Sequence, residues 1–174
     1  MYPWTHAAFG YLLLVVLAVL LWRRVSRLEL AAVVVATQIP DVVDKPLAWW
    51  LTVLPSGRSL AHSLVLAVPL SVLVLAVAWR RAHPEIGLAF ALGYASHLLG
   101  DTYDALYYWR VEEFTFLLWP FAPAYPYDPS ENLFEVVRAI ELTGSVALQL
   151  GLAAVGGLVF LAHFLYAPWV RPTA

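Results

Sequence analysis

The sequence contains no cysteine and few charged residues. Of its 174 residues, 13% are charged, against roughly 25% in an average soluble domain. Without cysteine, the chain can form no disulfide, thiolate nucleophile or cysteine-based zinc or iron site, so a bound metal must use His, Asp or Glu. Ten Lys and Arg against twelve Asp and Glu give a net charge of -2, which provides no basic surface for a polyanion. Nucleic acid is therefore not an expected partner.

Hydrophobic residues make up 62% of the chain. Because so few charged side chains cannot cover a soluble globule, we predict an all-α, polytopic integral membrane protein with a single transmembrane domain over residues 1–174. The apolar stretches predict about five transmembrane or partly spanning helices, which cover residues 7–22, 28–39, 60–79, 86–99 and 142–166. The aromatic-rich segment 109–141 is broken by proline and is predicted to lie at the membrane interface.

The second and fourth apolar stretches are shorter than the roughly 20 residues that cross a hydrocarbon core. They end where the chain reaches Asp41 and His97. We therefore expect two short helices that stop before one membrane surface. Their polar ends then line a cavity enclosed by protein, since ionisable groups are tolerated within a membrane only in such places.

The short connections carry arginine on one side of the predicted membrane. Arg23, Arg24 and Arg27 follow the first stretch, Arg80 and Arg81 follow the third, and Arg171 lies near the C-terminus. By the positive-inside rule these positions are cytoplasmic. The sequence thus predicts a protein of the cell (inner) membrane with its N-terminus outside and its C-terminus in the cytoplasm. Most acidic residues then lie on the extracytoplasmic side.

This topology gathers ionisable residues from four chain segments at the outer side, namely His6, Asp41, Asp44, Arg58, His62, His97 and Asp101. His97 and Asp101 are four residues apart and share a helix face. Imidazole and carboxylate together suit zinc, manganese or iron. We predict one or two divalent ions, zinc being favoured, with His6, Asp41, Asp44, His62, His97 and Asp101 as the candidate ligands.

The same residues suggest catalytic roles. Arg58 is predicted to bind a substrate oxyanion or phosphate through its planar guanidinium. Asp41 or Asp44, whichever is not a ligand, is the candidate general base. The structural alternatives are an interfacial His6, an Asp44–Lys45 surface ion pair, a helix-capping Asp41 and an Arg58 that reaches lipid headgroups. His62, His97 and Asp101 interrupt apolar runs, where ionisable groups are costly and usually functional.

Several of these residues stand in motifs of a known family. The motifs are Thr5-His6, Pro40-Asp41-Val42-Val43-Asp44, Arg58 with His62-Ser63, Ser96-His97-Leu98-Leu99-Gly100-Asp101 and Leu118-Trp119-Pro120-Phe121. Through them the chain, up to Phe121, resembles the predicted membrane-bound metal-dependent hydrolases, inner-membrane proteins whose bacterial member is under LexA control. That resemblance implies metal-dependent hydrolysis and no particular substrate. The family's second motif often reads Asp-x-Asp, whereas two residues separate Asp41 from Asp44, so either could be the ligand.

A polar site ringed by aromatic residues at headgroup depth predicts a substrate that arrives from the membrane. We therefore expect a hydrolase that acts on a lipid or lipid-linked substrate through a metal-activated water, with a phosphoester favoured over an amide because of Arg58. Membrane lipids are the expected partners, and the sequence predicts no oligomeric state. The alternatives are an ion or proton-coupled carrier, whose polar groups normally extend through the bilayer, and a structural protein whose helices a metal ties together.

Overall fold

The computed structural model describes residues 1–124 and 144–166, which form helices and no strand. The α-helices are α1 (Pro3–Leu20), α2 (Arg27–Trp49), α3 (Leu64–Arg80), α4 (Pro84–Tyr107) and α5 (Gly144–Tyr166), and a 3-10 helix covers Val111–Leu118. The prediction of an all-α protein is confirmed. The 3-10 helix lies in the predicted interfacial loop. The rest of that loop from residue 125 and the C-terminal Arg171 lie outside the described residues.

The prediction of two short helices is wrong. α2 continues through Asp41 and Asp44 to Trp49, and α4 continues through Asp101 to Tyr107. With 23 and 24 residues, both are about 35 Å long at 1.5 Å per residue. The fall in hydropathy shows where the polar side chains begin in each helix and does not show where the helix ends. The helical backbone continues because those side chains point into the protein. The predicted recessed polar groups therefore lie on helix faces.

Helix α4 is the centre of the bundle and contacts α1, α2 and α3, while α5 packs on α1. Successive helices run in opposite directions, so the start of α1, the end of α2, the start of α3 and the end of α4 meet at one end of the bundle. The candidate site residues lie at this end. The arginines of the two short turns, 21–26 and 81–83, and their flanks lie at the other end.

The distribution of polar residues is the reverse of that in a soluble protein. Among the described residues, fifteen buried residues are polar or charged and fourteen are hydrophobic, while large hydrophobic side chains such as Leu20, Val72 and Leu158 are exposed. Helices α1 and α5 have the length and apolar character of membrane spans, and α3 is apolar but has 17 residues. Two candidate spans are thus established, and the five crossings stay a prediction.

Helices α2 and α4 cross closely at Gly93. A Cβ atom placed on Gly93 would lie 2.5 Å from the carbonyl oxygen of Val33 and 3.0 Å from Cβ of Ala36. Small residues at such crossings allow backbones in membrane proteins to approach. This contact sets the spacing of the two helices that carry the acidic candidates, Asp41 and Asp101.

We therefore expect Gly93→Ala to push α2 and α4 apart and to lower the free energy of unfolding by about 1–3 kcal/mol, as overpacking does elsewhere. Unfolding by SDS in mixed micelles measures this change. Gly157→Ala in α5 is the matched control, because a Cβ atom there meets nothing within 4 Å. Equal stability of the two variants would contradict the close crossing.

Candidate metal centre

Two histidines and two aspartates meet at the site end of the bundle and form what we call the ligand cluster: Asp41, His62, His97 and Asp101. All four residues are buried. His62 Nε2 lies 3.1 Å from His97 Nε2, 3.2 Å from Asp101 Oδ2 and 3.5 Å from Asp41 Oδ1. His97 Nε2 lies 3.6 Å from Asp101 Oδ2 and 3.9 Å from Asp41 Oδ1.

These spacings can be compared with those of a real metal site. Ligand atoms at zinc distances in a tetrahedron are about 3.3 Å apart. The five separations in the ligand cluster run from 3.1 to 3.9 Å. A divalent ion could therefore be held after small side-chain movements, with nitrogen and oxygen ligands that zinc, manganese and iron accept.

The two histidine rings are held so that both Nε2 atoms face the ligand cluster. His97 Nδ1 donates a hydrogen bond to the carbonyl oxygen of Thr37 at 2.7 Å, and His62 Nδ1 donates to Asp44 Oδ2 at 2.8 Å. Metal-binding histidines almost always donate their second ring nitrogen to a carbonyl or carboxylate in this way, which fixes the tautomer and the ring orientation. Both rings are therefore arranged as metal ligands are.

Asp44 lies behind His62 and outside the ligand cluster. Besides the ring of His62, its carboxylate accepts hydrogen bonds from three backbone amides, those of Ser59 at 2.9 Å, Ala61 at 2.8 Å and His62 at 3.1 Å. Both of its oxygens are occupied and its side chain is fully buried. The hydrogen bonds of Asp44 thus fix the conformation of the segment that leads into α3 and also orient the ring of His62. No surface ion pair of Asp44 with Lys45 is seen among the described residues.

Burial and neighbouring carboxylates shift the pKa of His62, which lies outside the helices, in opposite directions. Burial lowers its pKa, but hydrogen bonds to Asp101, Asp41 and Asp44 outweigh burial and raise the pKa to about 10. Without metal, the imidazole therefore holds a proton shared with these carboxylates. A metal ion held by Nε2 of His62 would displace this proton, and metal uptake would then release it to solvent.

His6 lies against the ligand cluster from α1. Its ring stacks on that of His97 with 3.8 Å between ring centroids, and its Nε2 is 3.2 Å from Asp101 Oδ1. The contact with Asp101 is close, but neither ring nitrogen has a well-aligned hydrogen bond. A Cβ atom on Gly100 would come within 3.0 Å of this ring, so the missing side chain makes the space that His6 occupies. His6 thus faces the second oxygen of Asp101.

Two basic side chains, Lys45 and Arg58, form what we call the cationic rim. Arg58 Nε lies 3.2 Å from Asp101 Oδ2, and Lys45 Nζ lies 2.7 Å from Asp41 Oδ2. Their side chains are 25% and 29% exposed, whereas those of the ligand cluster are 9% exposed or less. The cationic rim therefore stands where the ligand cluster meets the exterior.

The 3-10 helix covers His62 from the other side. Phe116 is buried, with its ring centroid 6.4 Å from that of His62 in an edge-on contact. Tyr94 of α4 donates a hydrogen bond to the carbonyl oxygen of Ala61, the residue before His62, at 2.7 Å. Ser63, the residue after His62, donates a hydrogen bond at 2.6 Å to the carbonyl oxygen of Trp119, which follows the 3-10 helix. The aromatic segment is thus attached directly to the candidate site.

The structure brings together all seven residues that the sequence singled out, and they fall into three groups around one site. Asp41, His62, His97 and Asp101 form the ligand cluster, His6 and Asp44 lie behind it, and Arg58 lies at its edge. Sequence reasoning missed Lys45, Tyr94 and Phe116 as parts of the site. Had the second helix been predicted to continue through Asp41, Lys45 would have been placed on the same helix face as Asp41, because the two residues are four positions apart.

A helical bundle with apolar exposed faces and a buried His and Asp cluster at one end defines a helical membrane protein with a potential metal centre. Comparison with known families agrees, because the model of the YdjM inner membrane protein family matches residues 1–170. The chain therefore belongs to the YdjM inner membrane protein family. No curated protein and no solved structure matches the chain.

Proposed function

We propose that this protein is a membrane-embedded, metal-dependent hydrolase. The observation that carries the proposal is the pair of buried histidines whose Nδ1 atoms are committed to Asp44 and to the carbonyl of Thr37, so that both Nε2 atoms face Asp41 and Asp101. The ion is divalent, with zinc favoured and manganese or iron as the other candidates. His6, beside Asp101 Oδ1, is the candidate for an additional ligand or a second ion.

The residues in and around the ligand cluster are assigned different roles in the proposed reaction. A bound divalent ion polarises a phosphoryl oxygen and lowers the pKa of water to about 7. Arg58 binds the developing negative charge of the substrate, for which its planar guanidinium is suited. Asp44 keeps His62 in place, since both its oxygens accept hydrogen bonds. Asp41 has Oδ2 outside the ligand cluster, where it pairs with Lys45. Because both oxygens of Asp44 are occupied, we assign the general-base role to this Oδ2, although the sequence pointed to an aspartate that is not a ligand.

The surroundings of the site favour a lipid or lipid-linked substrate. Trp50, Leu51 and Val53 follow α2 and are 72%, 61% and 68% exposed. Trp109 and Phe121 flank the 3-10 helix and are also exposed. Apolar and aromatic side chains of this kind belong at headgroup depth. A substrate that diffuses in the membrane would reach the ligand cluster between these two segments.

The proposal includes an orientation. The five arginines of the two short turns and their flanks lie at the end of the bundle opposite the ligand cluster. By the positive-inside rule that end is cytoplasmic, and the ligand cluster then faces the extracytoplasmic side of the inner membrane. Cysteines introduced at Pro55 and at Arg81, which are both exposed, are labelled in intact cells with an impermeant maleimide to test this assignment. Labelling at residue 81 alone would reverse it.

Turnover tests the hydrolase directly. We expect detergent-purified protein loaded with Zn²⁺ or Mn²⁺ to cleave phospholipids or lipid-linked phosphoesters, and to lose activity when a chelator is added. Arg58→Ala is expected to retain its metal and to lower kcat/KM about a hundredfold, the effect of removing one donor to a developing oxyanion. Arg24→Ala, an exposed arginine at the opposite end, is the control.

Each contrary result has a meaning of its own. Absence of turnover on phospholipids and on lipid amides, with metal bound, would leave the metal a purely structural role. Turnover of lipid amides alone would replace the phosphoesterase by an amidase. Loss of metal in Arg58→Ala would show that Arg58 supports the metal centre instead of binding substrate.

A further inference from the structure

We propose that Lys45 is a second substrate contact and that, together with Arg58, it recognises a phosphate group on the substrate. The inference rests on the proposed function and names the substrate chemistry of the same site. Its basis is the position of Lys45, whose Nζ lies 2.7 Å from Asp41 Oδ2. This oxygen is not the one that Asp41 contributes to the ligand cluster.

The side chain of Lys45 is supported along its length. Its Nζ lies 5.7 Å from the ring centroid of Trp49. Gly57 lies beside both residues, since a Cβ atom there would lie 3.3 Å from Trp49 Nε1 and 3.5 Å from Lys45 Cγ. Lys45 therefore contacts Asp41, Trp49 and Gly57, so part of its rotamer entropy is already lost before an anion binds.

The two members of the cationic rim act on different carboxylates of the ligand cluster. Lys45 pairs with Asp41, and Arg58 pairs with Asp101. With a divalent ion held by Asp41 and Asp101, much of the charge of both carboxylates would be neutralised and each cation would lose part of its attraction to its partner. Arg58, through its planar fork, and Lys45, as a point charge, would then be able to contact a phosphate instead of the carboxylate oxygens.

A structural role for Lys45 predicts different behaviour. If Lys45 only neutralises Asp41, its removal would strengthen metal binding, because a competing cation leaves Asp41, and phosphate affinity would stay unchanged. If Lys45 contacts the substrate, its removal weakens phosphate binding while the metal stays bound. The two roles are separated by measuring metal content and phosphate affinity in the same preparation.

The test uses the full chain in detergent, saturated with Zn²⁺, and calorimetric titration with inorganic phosphate and with a short-chain phosphatidate. We expect Lys45→Met to weaken the binding of both by about tenfold, the effect of losing one hydrogen bond to a charged group. Lys45→Arg should restore most of this loss, and Arg24→Met should bind as the wild type does. Tighter binding of phosphatidate than of phosphate would indicate a lipid source, and equal binding a soluble phosphoester.

The failures are distinguishable. Wild-type protein that binds no Zn²⁺ contradicts the proposed function itself. Wild-type protein that binds Zn²⁺ but neither phosphate nor phosphatidate overturns the inference and leaves the metal centre intact. Unchanged phosphate affinity in Lys45→Met, with tighter Zn²⁺ binding, assigns Lys45 to the neutralisation of Asp41 alone and also overturns the inference.

Discussion

Replacing His97 by alanine is expected to reduce the metal content of the purified protein from near one equivalent to nearly none. His97 contributes one of two nitrogen ligands to the ligand cluster, and its ring also forms the surface on which His6 stacks at 3.8 Å. The variant therefore loses one ligand and the support of another candidate. Elemental analysis of detergent-purified protein, after equilibration with Zn²⁺, measures the change.

The controls separate loss of metal from loss of fold. His83→Ala removes an exposed histidine at the opposite end of the bundle, where it contacts Glu85, and should keep its full metal content. Because His97 is buried, Asp101→Asn provides a second test with almost no change in side-chain volume, and it should lose the metal as well. Full metal content in His97→Ala and Asp101→Asn would refute the metal centre.

The convergence of the site could be predicted because helix direction alone determines it. Once the chain alternates direction, His6 at the start of α1 and Asp41 and His97 in the second halves of α2 and α4 must lie toward the same end of the bundle. Ionisable groups in apolar stretches are also easily seen, since lipid and protein interiors both penalise them. Placement at one end thus needed no side-chain geometry.

The length of α2 could not be predicted in the same way. Pro40 lacks an amide hydrogen and usually ends or bends a helix, and the hydropathy falls at the same point. Yet α2 continues past Pro40 and Pro46. In the turn that contains Pro40, the carbonyl oxygen of Thr37 accepts a hydrogen bond from His97. Pro40 removes the amide donor of the Ala36 carbonyl, so this bond to the neighbouring Thr37 does not replace the lost one. It ties the disturbed turn of α2 to α4, and a local sequence pattern does not contain such a tertiary contact.

The roles of Asp41 and Asp44 also required the structure. Three residues apart on α2, both carboxylates fit the description of a ligand or a base. What separates them is the segment before α3, whose amides at Ser59, Ala61 and His62 converge on Asp44. Such a turn depends on contacts between residues fifteen to eighteen positions apart. Helical spacing carries no information about them.

Asp44→Asn is expected to weaken metal binding by about 10–100-fold, the usual effect of removing a group that orients a metal-binding histidine. An amide can present one oxygen, whereas Asp44 uses both: Oδ1 accepts from Ala61, and Oδ2 accepts from Ser59 and from His62. Whichever way the amide turns, its NH₂ group meets a donor. His62 is then held less firmly, and the free energy needed to align its ring makes metal binding weaker.

Metal titration with a competing chelator distinguishes the orienting role of Asp44 from the two chemical roles that the sequence allowed, ligand and general base. A ligand would show the loss of stoichiometry expected for His97→Ala, and a general base would show unchanged affinity with turnover abolished. The orienting role predicts full stoichiometry at saturating metal with the weakened affinity. Asp104→Asn is the matched control, because Asp104 lies on α4 near the same end and accepts from Ser145, outside the ligand cluster. Its affinity should equal that of the wild type, so that a fall shared by both variants would indicate a general effect of lost negative charge and contradict the specific contact with His62.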